Sequence, residues 1–329
     1  MSLSESLQER WYRNRPPAWW TLPIAALYGC IIRIRRALYR LGWKRCEHMP
    51  VPMIVVGNIT AGGAGKTPLV IALVEALRGH GFKPGVVSRG HGGSARAPML
   101  LDDNPDPCLV GDEPALIELR TRVPAAIGRD RPAAARLLLD QNVDVIVADD
   151  GLQHYALARD IEICVVDGAR RFGNARLLPA GPLREPPSRL AEVDFVVCNG
   201  GEPQHGEIPM RLHAETACNL LDDPARPLAA FANARVHAVA GIGNPQRFFD
   251  MLRAHGIDPV ERAFPDHHAY TAHDLQFNDS LPVLMTEKDA VKCRAFAREN
   301  WWSVPVTAEL PGPFFDSIAQ RVRTGSSGR

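Results

Sequence analysis

The segment MIVVGNITAGGAGKTPLVIALVEALRG, Met53 to Gly79, reads as three elements in a row. Met53 to Val56 is a short β-branched apolar run, GNITAGGAGKT (Gly57 to Thr67) is a glycine-rich turn, and Leu69 to Gly79 has helical spacing. Strand, glycine-rich turn and helix is the context in which backbone N–H groups and a helix N-terminus cradle phosphates. Lys66 then reaches the terminal phosphates and Thr67 holds a Mg²⁺ ion. The nucleotide-binding stretch expected from this reading is Thr60, Ala61, Gly62, Gly63, Ala64, Gly65, Lys66 and Thr67. The usual pattern has glycine five residues before Gly65, where this chain has Thr60, and Gly62 and Gly63 supply the flexibility instead. Membrane-partitioning ATPases share the GGxGKT form but carry lysine just before the glycines; here that residue is Ala61.

Outward from the loop, VDVIVADDGLQH (Val143 to His154) is a second strand with Asp149 and Asp150 at its carboxyl end. That placement suits a carboxylate that orders Mg²⁺ or its water shell, although tandem acids also serve as plain turns. Gln153 and His154 lie just beyond, positioned to face the same cleft. PGVVSRGHGG (Pro84 to Gly93) is another strand ending in a glycine turn, with Arg89 able to hold an anion. VGDEP (Val110 to Pro114) puts Asp112 and Glu113 at a helix start, where acids favour the dipole and where a free carboxylate can also deprotonate an alcohol.

DGARRFGNARLLPAGPLREPPSRL (Asp167 to Leu190) carries five arginines in a Pro- and Gly-rich loop. Arg184 and Glu185, held between Pro182 and Pro186, can clamp phosphate and metal, or be part of a solvated basic loop. The last third restarts after Asp222 to Pro227. VHAVAGIGNPQRFFDML (Val236 to Leu252) reads strand, turn, helix, but GIGNP lacks the third glycine of a dinucleotide fingerprint. FPDHHAYT offers Asp266, His267 and His268, without the Cys or second His pair a zinc site needs. In VLMTEKDAVK (Val283 to Lys292), TEKD falls one residue short of a guanine-reading motif, because Lys288 abuts Asp289. TGSSGR at the end reads as a disordered tail.

The 329 residues are 46% hydrophobic and 23% charged, ordinary globular composition that excludes disorder and fibrous repeats. A net charge of +1 provides no general basic field, so nucleic acid is not an expected partner. The charge is uneven, however. Arg10, Arg13, Arg15, Arg33, Arg35, Arg36, Arg40, Lys44 and Arg45 stand between Arg10 and Cys46 with no Asp or Glu among them. Inside this head lies an uncharged stretch, PPAWWTLPIAALYGCII, of 17 residues broken by Pro16, Pro17 and Pro23. From Pro23 onward Ile24, Leu27, Ile31, Ile34, Leu38 and Leu41 form an apolar stripe, with arginines off the stripe and Trp and Tyr residues nearby. This is the pattern of a helix lying in a membrane interface and attracted to anionic lipid; an N-terminal helix packed on the body is the alternative. Seven widely spaced cysteines without a Cys-x-x-Cys pair point to reduced thiols.

Taken in order, VGNITAGGAGKTP, SRGHGG, VGDEP, DDGLQH, LLPAGPLREP, AGIGNPQRFF, FPDHHAY and MTEKDAVK resemble the tetraacyldisaccharide 4'-kinase family of lipid A biosynthesis, from the head to about Lys292. The family usually has Tyr where this chain has His91. The resemblance implies an α/β protein: a P-loop core with a mostly parallel sheet (49–225), a smaller C-terminal α/β lobe (226–322), an N-terminal membrane-associating helical segment (1–48) and a tail (323–329). It implies a monomeric enzyme at the cytoplasmic face of the bacterial inner membrane, using ATP and Mg²⁺. Its expected reaction is phosphorylation of the 4'-hydroxyl of a tetraacyldisaccharide 1-phosphate, its lipid partner. By motif, Asp112 is the expected base, assisted by His267. Lys66 and Arg184 steady the transferring phosphoryl group, and Thr67, Asp149, Asp150 and Glu185 support the metal. Arg89, Glu113, Gln153 and His154 stand around the substrate. Two other readings stay open: a kinase of another lipid-linked alcohol, and a membrane-associated P-loop ATPase switch.

Overall fold

The structure is a computed structural model that describes residues 10–13, 16–221 and 224–326. Its first long helix is α1 (Thr21–Arg40), followed by strand β1 (Met53–Gly57) and helix α2 (Lys66–Gly79). The other elements of the first body are β2 (Pro84–Ser88), β3 (Met99–Leu100), α3 (Asp112–Thr121), β4 (Ala125–Ile127), α4 (Arg131–Leu139), β5 (Val145–Ala148), β6 (Ile161–Asp167), β7 (Phe195–Asn199) and β8 (Ile208–His213). Then come β9 (Thr216–Asn219), β10 (Arg226–Pro227), β11 (Arg235–Ala240), α5 (Pro245–Ala254), β12 (Asp258–Ala263), β13 (Val283–Thr286), α6 (Glu287–Cys293), β14 (Trp301–Val304), β15 (Thr307–Glu309) and α7 (Gly312–Ser326).

Nine strands form one sheet in the order β15-β8-β7-β6-β1-β5-β2-β4-β3, parallel except at its two edges. β1 sits between β6 and β5, with Ile54 facing Ile161 and Val55 facing Ala148 in register. Both faces of β1 and β5 are buried, which is why these strands read as unbroken apolar runs rather than alternating ones. On one face, Leu69, Val70, Leu73, Val74 and Leu77 of α2 pack with Phe314, Ile318 and Val322 of α7. On the other face, Ala134, Ala135 and Leu138 of α4 close a second core layer. The neighbours of β1 leave it in opposite directions, so its carboxyl end is a switch point in the sheet, where ligands of such folds bind.

A second sheet has the order β10-β9-β14-β13-β11-β12 and is parallel from β14 to β12. The chain does not divide between the sheets at residues 226 and 322, as the sequence led us to expect. β9 already pairs with β14, while β15 returns to pair with β8 and α7 packs beneath the first sheet. The reason is an apolar face on α7 whose complement, including Phe195 in edge-on ring contact with Phe314, belongs to the first body. The tail expected from 323 is likewise shorter. α7 continues to Ser326, with Arg323 donating to the His80 carbonyl and Thr324 to those of Gln320 and Arg321; residues 327–329 lie outside the described residues. So do residues 1–9 of the head, and Arg15.

α1 packs on the first body by its small face. Ala25 and Gly29 are buried, a Cβ at Gly29 would meet Leu177, and Arg36 and Arg40 both pair with Glu192. Ile24, Leu27, Ile31 and Ile34 point the other way and are about half exposed or more. No helix of the described residues is long and apolar enough to cross a membrane.

Candidate active site

α2 begins at Lys66 with no side chain capping it, so its first N–H groups stay open to a ligand. Gly65 precedes it with φ 93°, a left-handed conformation, and a Cβ there would collide with the Asn199 amide. That amide, at the end of β7, donates to the Ala64 carbonyl at 2.9 Å and steadies the loop. Thr60 has no need of glycine's freedom. It is extended, bridging backbone with Leu183, while the Ala61 N–H donates to the Pro182 carbonyl at 2.7 Å. The arginine-rich segment thus runs along the phosphate loop and brings Arg184 with it.

Arg184 contacts both carboxylate oxygens of Asp150 at 3.0 and 3.2 Å, and the Lys66 ammonium lies 3.5 Å from the same side chain. Burial alone would raise the Asp150 pKa, but Lys66, Arg184 and Arg131 override it and hold the group well below the ordinary carboxylate range. Asp149 is the reverse case. It is fully buried, neither oxygen has a hydrogen-bond partner among the described residues, and burial followed by the charges of Glu113 and Asp150 pushes its pKa up. A buried carboxylate with both oxygens free fits a cation, so the residues present suit Mg²⁺. Glu185 is already engaged, accepting from the Tyr155 hydroxyl at 2.7 Å and lying 3.3 Å from Arg189.

At the other wall, Asp112 opens α3 and His267 comes from the loop after β12. The imidazole Nδ1 lies 3.0 and 3.1 Å from the Asp112 oxygens. His267 has φ 61°. Burial tends to raise the Asp112 pKa, yet the hydrogen bond from His267 and then the charges of Lys288 and Lys292 bring it down to about 2. The His267 pKa is raised, chiefly by the Asp112 hydrogen bond.

Lys66, Thr67, Arg89, Glu113, Asp150, Gln153, Arg184, Glu185 and His267 all line one cavity of about 1060 Å³, between the two sheets and open to α1 through Tyr28, Ile31, Ile32 and Arg35. Gln153 donates to the Asn58 carbonyl at 3.0 Å and so braces the loop. Asp112 and Asp149 are buried and do not line it, and neither does His154. Its ring is pushed down to a pKa of about 4 by burial and by Arg131 and Arg159, so it stays neutral as a packing group. His91 stands edge-on to His267, ring centroids 4.9 Å apart. The GIGNP turn takes the role of a neighbour rather than a second nucleotide site: a Cβ at Gly243 would come within 2.7 Å of the Gly63 nitrogen, and Arg170 donates to the Gly243 carbonyl at 2.8 Å.

Two residues escaped the sequence reading. Asn199 is one. The other is Arg131, buried at the N-terminus of α4, lining the cavity with Nε and Nη1 free of hydrogen-bond partners among the described residues. A buried guanidinium with free N–H groups beside a phosphate loop is an anion receptor. The signal was available in GRDRP after β4, since an arginine shortly beyond the carboxyl end of a sheet strand is placed there much as Arg89 is beyond β2.

The chain matches the family model described as Tetraacyldisaccharide-1-P 4'-kinase over residues 17–323. It is 54% identical to a tetraacyldisaccharide 4'-kinase of Stenotrophomonas maltophilia over 322 residues, 95% of each chain. It is 51% identical to a protein of that name from Nitrosococcus oceani, over 92% of this chain and 90% of the relative. Its fold matches a crystal structure of LpxK from Aquifex aeolicus in complex with ATP, with a TM-score of 0.77 and 27% identity over 98% of this chain and 99% of that one.

Proposed function

The chain belongs to the tetraacyldisaccharide-1-P 4'-kinase family, and from that premise we propose how its residues carry out transfer of the ATP γ-phosphoryl group to the 4'-hydroxyl of the lipid disaccharide. The observation that carries the reading is His267, hydrogen-bonded to the buried Asp112 and facing the Lys66 phosphate loop across a single cavity. Phosphoryl transfer requires in-line positioning and neutralisation of charge on the phosphoryl oxygens. Lys66, Arg184 and Arg131 provide cations on the nucleotide side. Thr67, Asp149, Asp150 and Glu185 are the residues that would hold Mg²⁺; the ion's chemistry would be charge neutralisation at the phosphates. Asp112 accepts the proton of the sugar hydroxyl, and neutral His267, donating its Nδ1–H, orients that carboxylate. Arg89 and Glu113 face the acceptor side.

The substrate class also accounts for α1. A four-chain lipid stays in a membrane, and the exposed Ile24, Leu27, Ile31 and Ile34 with flanking arginines form an interfacial surface for the cytoplasmic side of the inner membrane. The reading is tested by transfer of ³²P from γ-labelled ATP to tetraacyldisaccharide 1-phosphate in mixed micelles. Labelled lipid that disappears with Lys66→Ala is the expected result. Phosphate release with no labelled lipid would instead indicate an ATPase switch.

A further inference from the structure

TEKDAVK, the motif that the phosphate chemistry leaves unused, forms α6 with Thr286 as its cap, and α6 lies against α3 across the cleft. It presents a row of charges to the first turn and body of α3. Glu287 takes two hydrogen bonds from Arg120 at 2.7 and 2.8 Å. Lys292 lies 3.8 Å from Asp112 and 3.1 Å from Asp289. Lys288 stands between them, its side chain only 15% exposed.

An ammonium has three N–H donors and no acceptor. At Lys288 three acceptors converge: Glu113 Oε1 at 3.2 Å, Asp266 Oδ1 at 3.1 Å and His267 Nε2 at 3.5 Å, with Asp112 Oδ2 at 3.7 Å completing the charge. Because the ammonium can only donate, in the neutral ring the Nε2 facing it accepts, which leaves the ring proton on Nδ1, the atom that faces Asp112. One side chain on the second sheet's helix therefore touches both acids of the VGDEP turn and both residues of the Asp266–His267 step.

We infer that Lys288 is a positioning residue for phosphoryl transfer: it holds His267 in the tautomer that orients Asp112 and ties this pair to the second lobe, so that the base is assembled only where α6 meets α3. The inference rests on the assignment of Asp112 as base. The groups facing the His267 ring are Asp112 from α3, Asp266 beside it, Lys288 from α6 and the edge-on His91 ring, with Lys292 acting on Asp112.

The test is lipid phosphorylation by the full chain carrying Lys288→Met, alone and combined with Asp112→Asn, alongside the unaltered protein. Lys288→Gln, which keeps an N–H donor but not the charge, should retain more of kcat than the Met variant and still move the acid limb, and it keeps the comparison if the Met variant does not fold. We expect kcat to fall about 10- to 100-fold with KM for ATP changed less than about threefold, the scale of a misplaced reacting group. The acid limb of kcat/KM should move to higher pH, because losing the cation favours the imidazolium. In the Asp112→Asn background, Lys288→Met should cost little more, since the two act as a unit. A full multiplicative loss in the double variant overturns the role of Lys288, as does a raised KM for ATP with an unmoved acid limb. Near-normal turnover of Asp112→Asn alone overturns the base assignment, a different failure.

Discussion

Asp112 and His267 make opposite demands on pH, and their environments separate them. Protonating Asp112 requires a pH near 2, so its titration cannot shape activity near neutrality. His267 is raised above the ordinary 6.5 by its hydrogen bond to Asp112. As pH falls through that value, the imidazolium locks Asp112 in an ion pair and turnover declines; the acid limb of the pH–rate profile should lie above 6.5 and vanish in His267→Gln. The stability terms have opposite signs. The Asp112 contribution is present above its ordinary 3.8 and is lost as pH falls towards 2, whereas that of His267 is present below 6.5 and is lost as pH rises through its folded value. Asp112→Ala should lower kcat by about a hundredfold or more while calorimetric ATP affinity stays within a few-fold. Equal loss of both would assign it to nucleotide binding instead.

At the scale of elements, α1 and α2 bury opposite kinds of surface. Leu73 of α2 is almost wholly enclosed between the first sheet and α7, so Leu73→Ala should cost about 2–5 kcal/mol in denaturant unfolding. Leu27 and Ile34 of α1 are 62% and 60% exposed, and replacing both with Glu should leave the unfolding midpoint of the protein almost unmoved. Each would forfeit roughly 1.5–3 kcal/mol of burial in a lipid surface, so co-sedimentation with anionic vesicles should drop by more than about tenfold. Binding equal to that of the parent would return α1 to a purely structural role. The helix itself was legible from its stripe at intervals of three and four. Its attachment by Ala25, Gly29, Arg36 and Arg40 was not, because a small-residue face has no periodic signal of its own and Glu192 is remote in sequence.

For the whole molecule, the candidate site's cavity exists because two sheets meet. Arg120 and Glu287 form one of the joints, and Glu287 is largely buried. Arg120→Ala would strand that carboxylate and should cost about 2–3 kcal/mol, below the range for a fully buried pair because a quarter of the Arg120 side chain remains in solvent. Arg120→Met with Glu287→Gln should recover most of the loss in thermal unfolding. Recovery that fails would place the joint elsewhere, for instance at Arg247 and Asp167, 3.1 Å apart.

The local order of residues was enough for the parallel core and for half of the site. β1, the glycine turn and α2 are contiguous, and the strand-end acids Asp149 and Asp150 follow from the same rule that ligands sit at carboxyl ends of strands. These features depend on backbone conformation and on side-chain periods of two and 3.6, which short stretches encode. Tertiary structure alone decided the rest: that Asp149 is the free carboxylate and Asp150 the paired one, that Arg131 and Asn199 attend the phosphate loop, that α7 crosses back under the first sheet, and that Lys288 reaches Asp112. Each is a contact between residues far apart in the chain, and charge pairing and burial act on distance in space, to which sequence separation is blind.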